Sequence, residues 1–365
     1  MKVKYIHVIA ARPNFIKAAP LIKEMIRQDI DIKIIHTGQH YDKNMSGNFL
    51  SQLNIPDPDY NLGIGSGTHG FQVGTALIEI EKILQLEMPT AIIVYGDVNS
   101  TLAASLAAVK LNIPIVHVES GCRSNDKKMP EEINRILTDR ISDTLFMTSN
   151  DVLDNLKQEG IKETNCHFVG NTMIDSLVEF NNDFDQSNIL NELNISKQNY
   201  NLCTFHRPSN VDNNKNLIHL MDSLSKVSNE TICVFPIHPR TKSRLKKFKI
   251  YDKYKKYIKF IDPQNYFDFM CLQKNAKCII TDSGGIQEES SYFNVPCLTL
   301  RDNTERPITI SAGTNKLIGT SYENLLYEYR NINTLKKSSI DLWDGKSSKR
   351  IVEILTEKYK INGKR

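Results

Sequence analysis

The fold of this chain is decided by the stretch Thr281-Asp282-Ser283-Gly284-Gly285-Ile286-Gln287-Glu288-Glu289. It follows the apolar run Ala276 to Ile280, which predicts a buried strand, and it precedes a helical pattern. The Ser-Gly-Gly turn leaves backbone N–H groups unshielded by side chains, and the positive end of the next helix adds to their attraction for an anion. The turn therefore suits a phosphate group, although a plain strand–turn–helix connection explains it equally well.

The two acidic residues of this stretch allow two interpretations. We expect Glu288 and Glu289 in the first turn of the helix, where a carboxylate can accept two hydrogen bonds from a ribose diol. Acidic residues in a first turn also stabilise a helix simply by complementing its dipole.

Strand–turn–helix units recur along the whole chain. Apolar runs alternate with amphipathic segments such as Lys17–Gln28 and Ser100–Leu111, which is typical of βαβ units and parallel sheets. Two sets of strands predict an α/β protein with two doubly wound, Rossmann-like domains that face a central cleft. The predicted strands are Tyr5–Ala10, Ile32–His36, Ala91–Tyr95, Ile113–Val118, Thr144–Met147 and His167–Val169, then Asn201–Phe205, Ile232–Ile237, Ile258–Ile261, Lys277–Thr281, Cys297–Leu300 and Lys316–Ile318.

The length of 365 residues also favours two domains. The segment Gly170–Asn199 is rich in Asn, Asp and Gln and is the expected boundary. We assign residues 1–170 to an N-terminal domain and residues 171–345 to a C-terminal domain. A final helix, at residues 346–361, is expected to pack back on the first domain.

The composition indicates a soluble globular protein of the reducing cytoplasm. Hydrophobic residues make up 40% of the chain and charged residues 24%, and the net charge of +4 does not require a nucleic-acid partner. Met1-Lys2-Val3-Lys4 leads directly into a strand, so we expect no signal peptide, and no apolar run approaches the roughly 20 residues of a membrane span. Seven dispersed cysteines without C-x-x-C spacing argue against a metal cluster.

Polar residues stand at or just after the ends of five predicted strands. Open parallel sheets bind ligands beyond the carboxyl ends of their strands, so we expect these residues to meet a shared ligand. They are Arg12, Asp97, Glu119, His206 and Ser283.

The first domain supplies a basic pair and two acids. Arg12 and Lys17 flank the start of the first helix and would place positive charge beside a diphosphate, with ordinary surface charge as the alternative. Asp97 is either a catalytic group or the cap of the next helix. A functional role is favoured for Glu119, because this residue stands at the end of an apolar strand and an unpaired buried acid costs free energy.

Glu131 and His206 are more ambiguous. Glu131 follows Pro130 at a predicted helix start, which is ordinary for such a position, but the polar loop Arg123–Met129 before it is long enough to close over a cleft. His206 ends the first strand of the second domain. It is either an acid–base group or a hydrogen-bonded structural histidine.

Two motifs are set aside. Gly65-Ser66-Gly67-Thr68-His69-Gly70 has the spacing of a dinucleotide fingerprint, but it follows a turn-rich segment instead of a buried strand. His36 and His40 flank a turn without a further ligand at metal spacing. We therefore expect neither a nicotinamide site nor a metal site.

Taken together, these residues resemble the non-hydrolysing UDP-N-acetylglucosamine 2-epimerase family over nearly the whole chain. The resemblance implies a glycosyltransferase-B-like fold, a UDP-binding C-terminal domain, no cofactor, a homodimer, and a cytoplasmic role in making surface-polysaccharide precursors. The motifs that carry it are Arg12-Pro13 with Lys17, His36-Thr37-Gly38-Gln39-His40, Gly96-Asp97-Val98-Asn99-Ser100-Thr101, Met129-Pro130-Glu131-Glu132-Ile133-Asn134-Arg135, Thr204-Phe205-His206-Arg207, Asp282–Glu289 and Arg301-Asp302-Asn303-Thr304-Glu305-Arg306-Pro307.

The resemblance also implies roles for single residues. Those that match catalytic positions are Lys17, Asp97, Glu119, Glu131 and His206. Those that would bind substrate are Arg12, Ser283, Gly284, Gly285 and Arg306 at the diphosphate, Glu289 at the ribose and Phe269 at the uracil. In the family reaction a base removes the C2 proton of the sugar while UDP leaves C1. UDP then returns to the bound 2-acetamidoglucal as a proton reaches the opposite face.

Departures from the family pattern leave the sugar open. Ala10-Ala11 stands where Gly-Thr is usual and Asn14 where Glu is usual, which resembles relatives that epimerise UDP-2,3-diacetamido-2,3-dideoxy-glucuronate. Cys122 replaces a frequent Leu, and His206-Arg207-Pro208 lacks a frequent second Arg of a regulatory subsite. A hydrolysing epimerase, a glycosyltransferase on the same fold and a non-catalytic UDP-sugar-binding protein are the alternatives.

Overall fold

The computed structural model describes residues 4–38, 50–334 and 337–359. The chain divides into two compact units, Met1–Glu179 with Asp341–Arg365, and Phe180–Ile340. The division falls after the helix Thr172–Glu179, because that helix packs against the helix Arg12–Arg27 of the first unit. None of the helices in the described ranges is long and apolar enough to cross a membrane.

The first unit is built on a parallel sheet with the strand order β3-β2-β1-β4-β5-β6-β7. The inner strand β4 is buried along its whole length, as expected where helices cover both faces of a parallel sheet. The strands are β1 Lys4–Ile9, β2 Asp31–His36, β3 Tyr60–Asn61, β4 Ala91–Tyr95, β5 Ile115–Ser120, β6 Thr144–Met147 and β7 Cys166–Phe168.

Helices connect these strands and supply the apolar layers of the first unit. In one layer, Ala76 and Ile80 of a long helix pack with Ala104 and Ala107 of the next helix over Val94 of the sheet. The helices are α1 Arg12–Arg27, α2 His69–Glu87, α3 Asn99–Lys110, α4 Pro130–Ile141, α5 Leu153–Gln158 and α6 Thr172–Glu179.

The second unit repeats the plan with the strand order β10-β9-β8-β11-β12-β13, again all parallel. Its strands are β8 Asn201–Thr204, β9 Cys233–Pro236, β10 Lys259–Ile261, β11 Cys278–Thr281, β12 Cys297–Thr299 and β13 Asn315–Leu317. Its helices are α7 Asn181–Asp185, α8 Ile189–Glu192, α9 Pro208–Val211, α10 Asn214–Ser228, α11 Pro239–Lys247, α12 Tyr251–Tyr254, α13 Tyr266–Lys274, α14 Gly284–Phe293, α15 Ile308–Ser311 and α16 Leu325–Arg330.

The last helix, α17 Ser347–Lys358, returns to the first unit and packs against α1 and α6. Its first N–H groups are held by Asp175 of α6, whose carboxylate accepts from Ser347 over 3.1 Å and from Ser348 over 2.7 Å. Burial raises the pKa of Asp175, and these hydrogen bonds oppose the rise without cancelling it. A side chain distant in sequence thus supplies the cap of α17.

Each sheet reverses its strand order at one point, between β1 and β4 in the first unit and between β8 and β11 in the second. Ligands of doubly wound sheets bind beyond the strand ends at such a switch point. The connections that leave these four strands carry Arg12, Asp97, His206 and Ser283.

The predicted fold class, an α/β protein with two parallel sheets, is confirmed. Sequence periodicity missed β3, because a strand of two residues is too short to show alternation. The predicted strands Ala91–Tyr95 and Thr144–Met147 coincide with the observed ones, and the rest differ by one or two residues at their ends, the usual uncertainty of such boundaries.

Candidate active site

Lys17 and Glu119 form a buried ion pair beside the turn that follows β4. Lys17 lies on α1 and Glu119 on β5, and only 6% and 5% of these residues are exposed. Nζ of Lys17 contacts Oε2 of Glu119. A β carbon added to Gly96 would lie 3.4 Å from Nζ of Lys17 and 3.9 Å from Oε1 of Glu119, so both charged groups stand beside the glycine. The buried acid thus has the partner that its position demands.

The backbone of Glu119 is strained. Its φ is +71°, in the left-handed region that residues other than glycine seldom adopt. The register of β5 against β6 shifts between Val118 and Ser120, which marks a bulge. Such strain costs about 1–3 kcal/mol and persists where the surrounding contacts impose it, often at functional sites.

Asp97 is anchored by a buried arginine. Nη2 of Arg135, on α4, donates to Oδ2 of Asp97 over 2.5 Å, and Nη1 donates to Glu132 over 2.7 Å. Asn134 of the same helix donates to the main-chain oxygen of Asp97 over 2.9 Å. The N-cap residue of α3 is Val98, so the alternative interpretation of Asp97 as that cap is wrong.

Asp97 and Glu131 line one cavity in the first unit, with a volume of about 280 Å³. Most of the lining side chains are polar or charged, which suits a ligand with several hydrogen-bonding groups. The other lining residues are Ser66, His69, Gln72, Val98, Asn99 and Asn134.

The glycine-rich segment that was set aside contributes to this cavity. It leads into α2 and does not leave a long buried strand, so it lacks the context of a dinucleotide fingerprint. Its residues Ser66 and His69 nevertheless line the cavity, together with Gln72 of α2. Nδ2 of Asn99 donates to Oε1 of Gln72 over 2.8 Å and lies 3.0 Å from Nδ1 of His69. Sequence reasoning set Ser66 and His69 aside because it weighed their segment only as a dinucleotide fingerprint, and no periodicity or motif singled out Gln72.

The neighbouring acids Glu131 and Glu132 have different surroundings. Glu132 is buried and accepts the backbone N–H groups of Ser124 and Asn125 over 2.9 and 2.8 Å, which ties the preceding loop to α4. Glu131 is half-buried in the first turn of α4, and no side-chain partner for it is found in the described part of the chain. Glu132 is therefore structural, whereas the carboxylate of Glu131 remains available to the cavity.

His206 is oriented by Asp282, a residue that sequence reasoning did not select. Nδ1 of His206 lies 3.3 Å from Oδ1 of Asp282, and the imidazole side chain is 46% exposed. The same carboxylate accepts the backbone N–H of Arg207 over 2.9 Å and Nδ2 of Asn210 over 3.0 Å. Burial alone would raise the pKa of Asp282, but the hydrogen bond and charge of His206 and the other donors hold it below its ordinary value. A charged carboxylate thus supports an accessible imidazole.

The Ser283-Gly284-Gly285 turn opens α14, with Ser283 as the N-cap residue. The first N–H groups of a helix have no partner within it and can bind an anion. A β carbon added to Gly285 would meet nothing within 4 Å, so this side of the turn is open. A β carbon added to Gly284 would lie 2.4 Å from Oε1 of Glu305, so packing alone already favours this glycine, because any larger residue would displace Glu305.

Glu288 and Glu289 do not lie in the first helical turn, because α14 begins at Gly284. The expectation was wrong because apolar periodicity does not show that a helix starts on its glycines. Oε2 of Glu289 accepts a hydrogen bond from Nε2 of Gln273 over 2.6 Å. Gln273 follows Phe269 by one turn on α13, so the residues predicted for ribose and uracil lie on one pair of helices.

Arg306 is held between two buried carboxylates. Its Nε lies 2.6 Å from Oε2 of Glu288, and its Nη1 lies 2.7 Å from Oε1 of Glu305. Glu305 also accepts from Nη2 of Arg301 over 2.7 Å. Two arginines therefore face two glutamates, and their charges balance. An anion at this place would gain less from Arg306 than from an arginine without such partners.

The other predicted ligands are described less completely. Helix α1 begins at Arg12, but the side chain of Arg12 lies outside the described part of the structure, as does all of His40. Among the residues that are described, no group of three or more His, Cys, Asp or Glu side chains could hold a metal ion. The catalytic and binding roles of the predicted residues stay predictions.

Comparison with known proteins points to one family. A family model described as UDP-N-acetylglucosamine 2-epimerase matches residues 23–356. The UDP-N-acetylglucosamine 2-epimerase of Methanocaldococcus jannaschii is 45% identical over 359 residues, which cover 96% of this chain and 98% of that relative. The UDP-2,3-diacetamido-2,3-dideoxy-D-glucuronate 2-epimerase of Pseudomonas aeruginosa is 39% identical over 361 residues, 97% of this chain and 99% of the relative. A crystal structure of the M. jannaschii protein in complex with UDP-GlcNAc and UDP matches with a TM-score of 0.90 and 45% identity, and covers 97% of this chain and 100% of that chain.

Proposed function

This chain belongs to the UDP-N-acetylglucosamine 2-epimerase family, and we propose that it interconverts UDP-N-acetylglucosamine and UDP-N-acetylmannosamine without net hydrolysis. The observation that carries the proposal is the cavity shared by Asp97 and Glu131. Inversion at C2 needs proton removal on one face of the sugar and proton return on the other. Two carboxylates in one polar cavity supply both groups.

The reaction is an elimination followed by a re-addition. A base takes the C2 proton, the electron pair of the C2–H bond forms the C1=C2 double bond of 2-acetamidoglucal, and the C1–O bond to UDP breaks. The UDP oxygen then attacks C1 again while a proton reaches C2 from the opposite face. One proton is lost and one is gained, so no oxidant or reductant is consumed.

The carboxylates of the first unit suit different tasks. Asp97 accepts a hydrogen bond from Arg135, so it suits the base that begins the reaction charged. Glu131 has no side-chain partner in the described residues, so it can hold and release a proton without breaking an ion pair. The Lys17–Glu119 pair would place fixed charges that stabilise the transition state. In the reverse direction the acid and the base exchange roles.

The second unit supplies the groups that we assign to UDP, except Arg12, which belongs to the first unit. The N–H groups at the start of α14 would stabilise the diphosphate as it departs, since charge develops there in the transition state. Arg306 would add positive charge, reduced by its two carboxylate partners. Glu289, held by Gln273, would bind the ribose, and Phe269 would stack on the uracil.

One NMR experiment in deuterated water tests the proposal. UDP-N-acetylglucosamine incubated with the protein should yield UDP-N-acetylmannosamine with solvent deuterium at C2. Stoichiometric release of free UDP and free sugar would instead assign a hydrolysing epimerase. The absence of both outcomes, in a protein that binds UDP, would remove UDP-N-acetylglucosamine as the substrate.

A buried amide favours a second candidate sugar. Nδ2 of Asn14 donates to the main-chain oxygen of Tyr95 over 3.0 Å, while Oδ1 is buried and has no hydrogen-bond partner within the described ranges. A buried acceptor without a partner is costly, and a second acetamido N–H of a substrate would satisfy it. UDP-2,3-diacetamido-2,3-dideoxy-glucuronate is therefore the second candidate. A higher kcat/KM for this sugar, and its selective loss in Asn14→Leu, would establish it as the substrate.

We also propose that the protein acts as a homodimer. Phe71, Ile78 and Leu86 are exposed on α2 and recur every seven or eight residues, which places them on one face of the helix. Ile133 and Leu137 are exposed one turn apart on α4. Clustered exposed apolar side chains commonly mark an interface. Light scattering after gel filtration should give the mass of two chains, and a monomer at micromolar concentration would contradict the proposal.

A cytoplasmic location is part of the proposal. No disulfide links any of the seven cysteines, all of which lie in the described residues, and this fits a reducing compartment. Fractionation of the source cells, with the protein detected by antibody, tests this location directly.

A further inference from the structure

His117 and Asp139 form a buried pair that the proposed chemistry does not use. His117 lies on β5 and Asp139 on α4, and neither side chain is exposed to solvent. Nδ1 of the imidazole lies 2.6 Å from Oδ1 of Asp139, and Nε2 lies 2.8 Å from the main-chain oxygen of Gly96. The ring thus has an oxygen atom as neighbour at each of its nitrogens. It links α4 to the turn after β4.

Asp139 also holds the backbone on the far side of Glu119. Its Oδ2 accepts the N–H of Gly121 over 3.0 Å and lies 2.8 Å from Nη2 of Arg123. His117 and Gly121 stand two residues before and two residues after Glu119, so one carboxylate binds both flanks of the bulge. Burial alone would raise the pKa of Asp139, but the charge and hydrogen bond of His117, with the charge of Arg123, hold it below its ordinary value.

The other end of this network meets the candidate site. Gly96 has a φ of +59° and stands beside the Lys17–Glu119 pair. A β carbon added to Gly96 would lie 3.4 Å from Nζ of Lys17. The next residue is Asp97, which lines the cavity. A displacement of the Gly96 carbonyl would therefore move the surroundings of the ion pair and of the Asp97 carboxylate together.

We propose that His117 and Asp139 are positioning residues, which hold the strained Glu119 bulge and the Gly96–Asp97 turn in the geometry that the reaction needs. The proposal rests on the epimerase function proposed above. Strained backbone persists only where several contacts impose it, and the hydrogen bonds at residues 117 and 121 are such contacts. The pair acts through Glu119 and Asp97, and it does not itself contact the sugar.

The test replaces His117 with an amide that is shorter and cannot bridge both acceptors. In His117→Gln, kcat should fall about a hundred-fold, as expected when a reacting group is misplaced by about 1 Å. KM and the affinity for UDP should change less than about twofold, because all groups assigned to UDP except Arg12 lie in the second unit. Asp139→Asn keeps the size of the side chain and one acceptor oxygen, so its kcat should fall less than that of His117→Gln.

A matched control separates positioning from general destabilisation. Tyr95→Phe removes a buried hydroxyl that lies 2.7 Å from Nδ1 of His7, in the same sheet and one residue before Gly96. It should lower the thermal midpoint as His117→Gln does while kcat stays near the wild-type value. The positioning role is refuted if Tyr95→Phe and His117→Gln show the same loss of kcat at the same loss of thermal midpoint. It is also refuted if neither His117→Gln nor Asp139→Asn lowers kcat.

A second readout does not depend on turnover. In crystals of His117→Gln or Asp139→Asn, the φ of Glu119 should leave the left-handed region, or Glu119 should move away from Lys17. A backbone that keeps φ near +71°, with the Lys17 contact intact, overturns the proposal even if the sugar substrate has been misassigned. An inactive wild-type protein whose variants do lose this geometry would instead count against the epimerase function alone.

Discussion

Nε of Arg306 lies 2.6 Å from Oε2 of Glu288, and both side chains are almost fully buried. This contact divides the groups assigned to UDP into two kinds. The start of α14 offers backbone donors to which the side chain of Ser283 makes no cap hydrogen bond, whereas the arginine cluster is already charge-balanced by Glu288 and Glu305. We therefore expect a substitution of Arg306 to change both UDP affinity and fold stability, whereas substitutions of Gly284 and Gly285 can change one without the other.

Arg306→Ala should weaken UDP binding by at most roughly ten- to a hundred-fold, because hydrogen bonds to charged groups contribute about 1.5–3 kcal/mol each and the two carboxylate partners reduce the share of Arg306. It should also destabilise the fold by about 3–5 kcal/mol, since Glu288 and Glu305 lose a buried partner. Calorimetric titration with UDP and urea unfolding measure the two effects. Gly74→Ala is the control, because a β carbon there meets nothing within 4 Å. An unaltered UDP affinity in folded Arg306→Ala would place the diphosphate elsewhere.

The glycines of the α14 turn provide a matched pair. Gly284→Ala should lower the thermal midpoint, because its β carbon would lie 2.4 Å from Oε1 of Glu305. Gly285→Ala has open space and should keep or raise the midpoint, since alanine favours a helix by about 0.8–1 kcal/mol over glycine. UDP affinity should nevertheless fall in Gly285→Ala, because a methyl group would obstruct a phosphate on this open side. If Gly285→Ala binds UDP as tightly as the wild type, the phosphate does not approach this side of the turn.

Asp282 should make the stability of the protein depend on pH. Its pKa in the folded protein lies below the ordinary value of 3.8, so its contribution to stability is present above that value and is lost as the pH falls through the folded-state pKa. Asp282→Asn should thus be most destabilising near neutral pH, and the difference from the wild type should shrink below about pH 4. Urea unfolding at several pH values checks this. A difference that stays constant from pH 7 to pH 3 would show that the charge of Asp282 is not what stabilises the His206 segment.

Sequence alone could predict the residues that stand where an apolar run ends. Asp97 and His206 follow buried strands and Glu119 lies near the end of one, and the topology of a doubly wound sheet brings such positions to one edge of each sheet. The same reasoning predicts the Ser283 turn. The ends of these strands could be predicted because burial along a strand is visible as a local pattern, whereas the roles of the residues stay predictions.

The contacts that hold these residues could not be predicted in this way. Asp139 meets Gly121 across 18 residues, and Arg135 meets Asp97 across 38, on faces of α4 that look like ordinary polar positions in the sequence. Gly284 was interpreted as a phosphate ligand, and its close approach to Glu305 appears only when two distant segments pack. Partners that are chosen by tertiary packing leave no periodic signal.

Replacing the carboxylates of Asp97 and Glu119, which are held by Arg135 and Lys17, should separate UDP binding from the chemical step. Asp97→Asn and Glu119→Gln keep the size of the side chains and most of their hydrogen bonds. Each variant should bind UDP nearly normally and lose about a hundred-fold or more in turnover. Glu119→Gln should also be destabilised, because Lys17 remains buried without its anion. Turnover measured beside UDP affinity distinguishes these losses, and wild-type turnover in both variants would contradict the elimination mechanism.

Glu131 and Glu132 allow the sharpest comparison, since they are adjacent on one helix and only Glu131 lines the cavity. Glu131→Gln should lose about a hundred-fold in turnover with little change in thermal midpoint, because its carboxylate has no side-chain partner in the described residues. Glu132→Gln should show the reverse, because its carboxylate holds Ser124, Asn125 and Arg135. Solvent deuterium entering C2 should fall with turnover in Glu131→Gln. If Glu131→Gln instead lowers the midpoint and keeps wild-type turnover, the residue only stabilises the start of α4, and the acid that returns the proton must be another group.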